Sequence, residues 1–261
     1  MKIKSISTNK YTGKVYNIAT PPISNYFANG ILVHNCYMSS DFNGKHCDNL
    51  VDKTKSYFAG ISENLLPFQV AIGGGEPFLH PELFEFVKYL DSIGIVSNIT
   101  TNGLNFNDEN LAFIKEWMGG VAVTAHKHVD GLWQKGLEQL IPSCNAPAIH
   151  VLLHDKESID YIKKVVDDWY DKVYTITVLP FKAQGRGANM SSEIDWEYMT
   201  EYIKSLPEEK LFKLSWGALA YDYIKDNPYL SQLSLYEPEQ FSRFLDMTTM
   251  KEYNSSFEVS D

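Results

Sequence analysis

Gln69-Val70-Ala71-Ile72-Gly73-Gly74-Gly75-Glu76-Pro77-Phe78-Leu79-His80-Pro81-Glu82-Leu83 contains a strand, a glycine-rich turn and the start of a helix. The run 69–72 is short and apolar, as a buried strand is, and Pro81 falls in a first helical turn, where a missing N–H is tolerated. Glycines between them let a ligand approach the backbone closely, and the Glu76 carboxylate can accept from a cationic amine. Taken alone, the turn reads equally as a tight connection between strand and helix. The same alternation continues outward from this stretch. Strands are expected near 68–72, 95–100, 120–124, 147–153, 173–179 and 211–215, and helices near 81–93, 108–117, 131–140, 156–170, 195–205 and 217–225. Repeated strand–helix units imply an α/β fold with a parallel sheet, and a barrel places its chemistry at the C-terminal ends of its strands. Gly73, Gly74, Gly75, Glu76, Thr101, Thr124 and Arg186 all fall at such ends.

Gly74-Gly75-Glu76-Pro77 resembles the motif with which radical S-adenosylmethionine (SAM) enzymes hold the amino group of the cofactor's methionine moiety. The similarity continues, in the family's order, at Ile99-Thr100-Thr101-Asn102-Gly103, at Val121-Ala122-Val123-Thr124 and at Leu179-Pro180-Phe181-Lys182-Ala183-Gln184-Gly185-Arg186-Gly187. The resemblance implies a (βα)6-type barrel binding SAM through Gly73, Gly74, Gly75, Glu76, Thr101, Thr124 and Arg186. Members of this family hold a [4Fe-4S] cluster with three closely spaced cysteines, thiolates being the soft ligands that iron–sulfur clusters favour. This chain has three cysteines, Cys36, Cys47 and Cys144, and their spacing does not match. Cys36-Tyr37 resembles the third cysteine of the motif, so the barrel is expected to be incomplete. Its first strand and the other two cluster ligands would then lie on another chain. Cys47 and Cys144 read best as inert small residues.

His34-Asn35-Cys36 carries different chemistry. An Asn side-chain amide can attack its own backbone carbonyl and cut the chain when a neighbouring imidazole polarises that carbonyl and protonates the leaving amine. A following Cys couples the cut to acyl transfer, a thiolate being the best such nucleophile at neutral pH. By itself the triplet reads equally as a turn-forming Asn-Cys. Residues 1–35, however, resemble the C-terminal piece of a split intein (the Hint fold) along their whole length. Met1-Lys2-Ile3-Lys4 opens a strand, Tyr11-Thr12-Gly13-Lys14 makes a turn, and Val15-Tyr16-Asn17-Ile18 makes a second strand. The run Asn25-Tyr26-Phe27-Ala28-Asn29-Gly30-Ile31-Leu32-Val33-His34-Asn35 then follows. The resemblance implies Asn35 as the cyclising residue, His34 as its helper, and Cys36 as second nucleophile and first extein residue. Ser24 departs from it, since many such inteins carry His or Asp there.

Two domains are therefore expected, 1–35 and 36–261. Because the chain opens with Met1 at the intein segment, it is expected to lack the N-terminal intein half and to need a separate chain carrying that half and the N-terminal extein. About 35 residues are also too few to bury a core alone, so order in this segment is expected only on pairing. Cys36 would serve first in splicing and then as cluster ligand, so the [4Fe-4S] cluster is expected only after splicing. The product would use SAM to abstract hydrogen from a substrate, drawing on an electron donor; the sequence names neither. The alternative is a decayed fragment that binds SAM or a partner and retains only splicing.

His126, His128, His150 and His154 fall near two neighbouring strand ends, and read either as a metal or substrate group or as ordinary polar residues at a loop face. Lys182 and Arg186 read either as an anion site or as solvated charge. With 261 residues and a net charge of -10, the chain is expected to be a soluble globular protein that binds neither nucleic acid nor an anionic membrane. No apolar stretch reaches membrane-spanning length, and the cysteine usage suits a reducing cytoplasm. The stretch 229–261 is rich in Leu, Tyr, Phe and Glu and ends like a strand of the extension found in peptide-modifying relatives. It lacks cysteine, so no auxiliary cluster is expected.

Overall fold

A computed structural model of the chain describes residues 47–62, 65–127, 130–181, 191–232 and 243–253, together with the backbone of 25–28 and 31–34. The chain divides into two units, Met1–Asn35 and Cys36–Asp261. In the first, strands β1 (Asn25–Ala28) and β2 (Ile31–His34) pair antiparallel, with Asn25 opposite His34 and Ala28 opposite Ile31. The two residues between the strands are Asn29-Gly30, the strongest short-range hairpin signal. The elements expected over residues 1–4 and 11–18 lie outside the described residues, as do Ser24, Asn35 and Cys36.

The described elements of the second unit run from α1 (Leu50–Phe58) through β3 (Gln69–Ile72), α2 (Leu83–Ser92), β4 (Val96–Thr101), α3 (Asp108–Trp117), β5 (Met118–Ala125), α4 (Leu132–Leu140), β6 (Pro147–Leu153), α5 (Lys156–Trp169), β7 (Thr175–Pro180), α6 (Trp196–Ser205), α7 (Glu208–Leu211) and β8 (Leu214–Trp216) to α8 (Tyr221–Ile224). Strands β3 to β8 form one parallel sheet in sequence order. Crossovers between parallel strands are right-handed, so an order that never reverses puts all the connecting helices on one face and curls the sheet into a half-barrel. Alternation along each strand then separates two surfaces. Ile99, Val121, Val123, Ile149, Val151, Ile176, Val178, Leu214 and Trp216 are buried, as are Val87, Leu90, Ile114, Leu137, Ile159, Ile162 and Val166 on the helices. The opposite, inner face carries Asn98, Thr100, Thr124, His150, Thr177 and Ser215, none of them fully buried.

Local sequence accounts for most of the ends. Asn107, Asp155 and Asp195 accept from the backbone N–H groups of Asn110, Ser158 and Tyr198 and so cap α3, α5 and α6. Three expectations shift. Pro207-Glu208-Glu209 begins the short α7, with acidic residues at its positive end, so the last strand starts at Leu214 rather than near 211. The helix expected over 217–225 divides into a 3-10 turn, Ala218–Ala220, and α8. Helix α1 was not expected. Its Asn49 cap is left-handed (φ 57°) and makes no side-chain cap bond, and the Leu50 N–H is satisfied instead by the Glu82 carboxylate, 2.8 Å away. A local sequence signal is therefore missing there. A small antiparallel hairpin, β9 (Phe244–Asp246) and β10 (Lys251–Tyr253), follows, and the strand expected near 254–258 lies outside the described residues. No described helix is long and apolar enough to cross a membrane.

One close approach fixes the sheet's C-terminal end. A Cβ at Gly136, in α4, would overlap the carbonyl of Gly103, in the turn after β4. Gly103 itself has φ +74°, and a Cβ there would lie 2.8 Å from Val123 Cγ1. Gly136→Ala therefore meets backbone, which cannot rotate away. It is expected to cost about 2 to 3 kcal/mol, a fall in melting temperature of roughly 4 to 12 °C by calorimetry.

Candidate cofactor site

The Glu76 carboxylate joins the ends of β3 and β4. Its Oε1 accepts from Thr101 Oγ1 at 2.7 Å and from the Phe78 N–H at 3.3 Å, and its Oε2 accepts from the Asn102 N–H at 2.8 Å. Thr101 Oγ1 in turn accepts from the Gly103 N–H at 3.1 Å, so the turn that α4 presses upon also orients the hydroxyl. A carboxylate offers about four acceptor positions and three are taken, which leaves one on Oε2. Burial pushes the Glu76 pKa up from its ordinary 4.5, against the lowering effect of the Asn102, Thr101 and Phe78 donors. A cation in contact with the carboxylate would relieve that desolvation cost.

Gly73, Gly74 and Gly75 are exposed beside this carboxylate, and nothing lies within 4 Å of a Cβ built on any of them. Gly74 has φ +121°, a conformation that only glycine adopts without strain. An open backbone beside a half-buried carboxylate with a vacant acceptor position fits an ammonium group such as that of SAM. For an iron–sulfur cluster, the described residues offer no ligand set. No group of three or more His, Cys, Asp or Glu converges among them. The Cys47 Sγ donates to the Met247 carbonyl at 2.8 Å. Burial raises the pKa of the Cys144 thiol, which disfavours the thiolate that ligation needs.

The expected site residues separate into three groups. Glu76 and Thr101 meet directly. Thr101 is only 2 % exposed and its hydroxyl is occupied by Glu76 and Gly103, so its influence on a ligand passes through the carboxylate. Thr124 stands on the other, inner face of the sheet. His34 is described only as backbone at the end of β2, and Asn35, Cys36, His128, Lys182 and Arg186 lie outside the described residues.

The inner face adds residues that the sequence reading had not grouped. Thr124 pairs with His150, His150 with Thr177, and Thr177 with Ser215. At about 4.8 Å per strand, this polar row crosses roughly 14 Å of sheet, level with the turn that holds Glu76. Thr177 Oγ1 and Ser215 Oγ are 2.9 Å apart, whereas the His150 ring has no hydrogen-bond partner among the described residues. The alternation of positions 122, 124 and 148, 150 was the available signal, but the lateral register was not legible. His154 sits apart from His150, with Nδ1 3.0 Å from Asp155 Oδ2 and its ring edge-on to Phe181. The histidines do not gather round a point among the described residues.

Burial holds His150 down to about 4, from an ordinary 6.5. Between those values the unfolded chain binds more protons than the native one, so His150 makes stability fall as pH drops from about 6.5 towards 4. His150→Asn is expected to flatten this part of a denaturation-versus-pH curve. An unchanged slope would mean that the ring already titrates normally.

No protein-family model matches the chain, and neither does any curated protein. Among solved structures it is similar to SuiB of Streptococcus suis bound to the precursor peptide SuiA, with TM-score 0.56 and 16% identity over 73% of this chain and 47% of that one. SuiB bound to S-adenosylmethionine gives TM-score 0.55 and 15% identity over 71% and 47%. The described sheet thus shares the fold of these structures, and the chain spans about half of their length.

Proposed function

We propose that this chain is the C-terminal precursor of a trans-spliced radical SAM enzyme. The enzyme half of the reading is carried by the Glu76 carboxylate, held by three donors at the open glycine mouth of the half-barrel with one acceptor position to spare. Glu76 would take the ammonium of SAM, Thr101 would position Glu76, and the backbone of Gly73, Gly74 and Gly75 would lie alongside. Thr124 and Arg186 are the further cofactor contacts that the family resemblance implies. When bound, SAM with a [4Fe-4S] cluster supplies hydrogen abstraction. No ligand set is present among the described residues, so Cys36 as a cluster ligand rests on sequence alone. The SuiB–SuiA complex makes a peptide the first substrate class to test.

The splicing half is supported by the order of residues at the end of the hairpin: β2 closes at His34, and Asn35-Cys36 follows directly. Asn35 would cyclise with help from His34, and Cys36 would accept the acyl group of a separate chain carrying the N-terminal extein and intein half. A reducing cytoplasm would keep Cys36 competent. The test is co-expression with a candidate chain ending in an N-terminal intein half, read by intact mass. A ligated product containing residues 36–261 and a released fragment 1–35 support the reading. Unchanged masses under reducing conditions reject splicing for that pair and leave the decayed-fragment alternative, which direct SAM titration then tests.

A further inference from the structure

We infer that the outer edge of β3 receives a parallel strand from the partner chain before the two chains are joined. This inference rests on the trans-splicing reading above and adds a docking surface to it. The Phe68 carbonyl accepts from the Val96 N–H at 3.0 Å, which sets the alternation of the strand. Val70 and Ile72 therefore direct their backbone groups to β4, and Gln69 and Ala71 direct theirs outward. No described strand pairs with that outer edge. The surrounding surface is apolar. Phe68 is 76% exposed and Leu65 71%, and Val70 and Ile72 are only half-buried although their β4 neighbours Ser97 and Ile99 are each 2% exposed. An open edge of this kind is a template for strand addition.

Helix α1 indicates what belongs there. It packs against α2 in the helical layer and leads into β3, as each later crossover helix leads into its strand. Every later crossover is entered from a neighbouring strand, whereas α1 is not preceded by any described strand of this sheet. Right-handed crossover places the missing strand outside β3 and parallel to it. Such a strand ends at the mouth, where α1 begins. There the His80 Nε2–H donates to the Cys47 carbonyl at 3.3 Å, and the Glu82 carboxylate holds the Leu50 N–H. Cys36 precedes Cys47 by eleven positions, and the interval contains Ser39, Ser40, Asp41, Asn43 and Gly44, a turn composition suited to a loop from strand to helix. The occupant is therefore the partner's extein strand, whose chain continues into Cys36 once the two chains are joined. A second copy of this chain would pair antiparallel about a two-fold axis and would not lead into α1.

The test uses two preparations with the same partner chain. The wild-type pair reports ligation by mass. The full chain carrying Asn35→Ala and Cys36→Ala, unable to ligate, reports residue-resolved amide exchange alone and with the partner. Gln69 and Ala71 amides are expected to exchange freely alone and to slow by about tenfold or more with the partner, while Val70 and Ile72 change little. A wild-type pair that ligates while Gln69 and Ala71 stay unprotected overturns the docking and leaves splicing intact. A pair that neither ligates nor protects overturns both. Protection already present in the chain alone also overturns it, with concentration dependence identifying a second copy and its absence identifying the chain's own residues. As a second measurement, Ala71→Pro removes one outward N–H without touching the β4 pairing. It is expected to slow ligation several-fold in dilute solution at unchanged melting temperature, and an unchanged rate counts against the docking.

Discussion

Replacing Asn35 with alanine is expected to stop the proposed release of residues 1–35 altogether, because alanine has no amide to attack the backbone carbonyl and no other residue of the triplet can form the succinimide. In a co-expression experiment, association with the partner is expected to persist while the ligated product disappears. Cys36→Ala is expected to remove ligation as well, by a different route: the acyl acceptor is lost, and Asn35 cyclisation can still cut the chain. The pair of variants thus separates scission from transfer. Ligated product accumulating with Asn35→Ala would reject the assigned role outright.

The second large effect is expected at Glu76. Glu76→Gln keeps the size of the side chain and one carbonyl acceptor but removes the charge that faces an ammonium. SAM affinity is expected to fall by about 30- to 150-fold, the worth of one buried charge-assisted contact of roughly 2 to 3 kcal/mol. S-adenosylhomocysteine, which keeps the amine, should lose as much. Methylthioadenosine, which lacks it, should bind both proteins equally, and an equal loss for all three ligands would mean that the substitution had merely loosened the turn. The pH dependence follows from the burial of the group. Since Glu76 titrates above its ordinary 4.5, wild-type affinity should be full above the raised value and fall about tenfold per pH unit below it. In the apo chain the sign is opposite: the native state binds more protons than the unfolded one between 4.5 and the raised value, so Glu76 lowers stability as pH rises through that window. His150 acts the other way over its own range, which is why each needs its own variant.

Much of this molecule could be read from the chain. The run Pro147–Leu153 has its expected bounds because an apolar residue stands at every second position from Pro147 to Leu153, and Gly73-Gly74-Gly75-Glu76 is recognisable because the residue types have few alternative uses. Tertiary contacts hid the rest. Helix α1 depends on a carboxylate 32 residues away to satisfy its first N–H. The β1–β2 hairpin is marked in the sequence by Asn29-Gly30 between two runs of four residues. Thr101 and Thr124 stand on opposite faces of the sheet. Residue type alone does not reveal that.

The uninterrupted strand order has a consequence for how such a gene can be divided. Each strand of the sheet pairs only with the strand before it and the strand after it in sequence, so each pairing closes one crossover and none joins the two ends of the sheet. A break before β3 therefore costs one boundary and leaves the folding order of the remainder intact, which makes this a place where a coding sequence can be split and its products still find their shape.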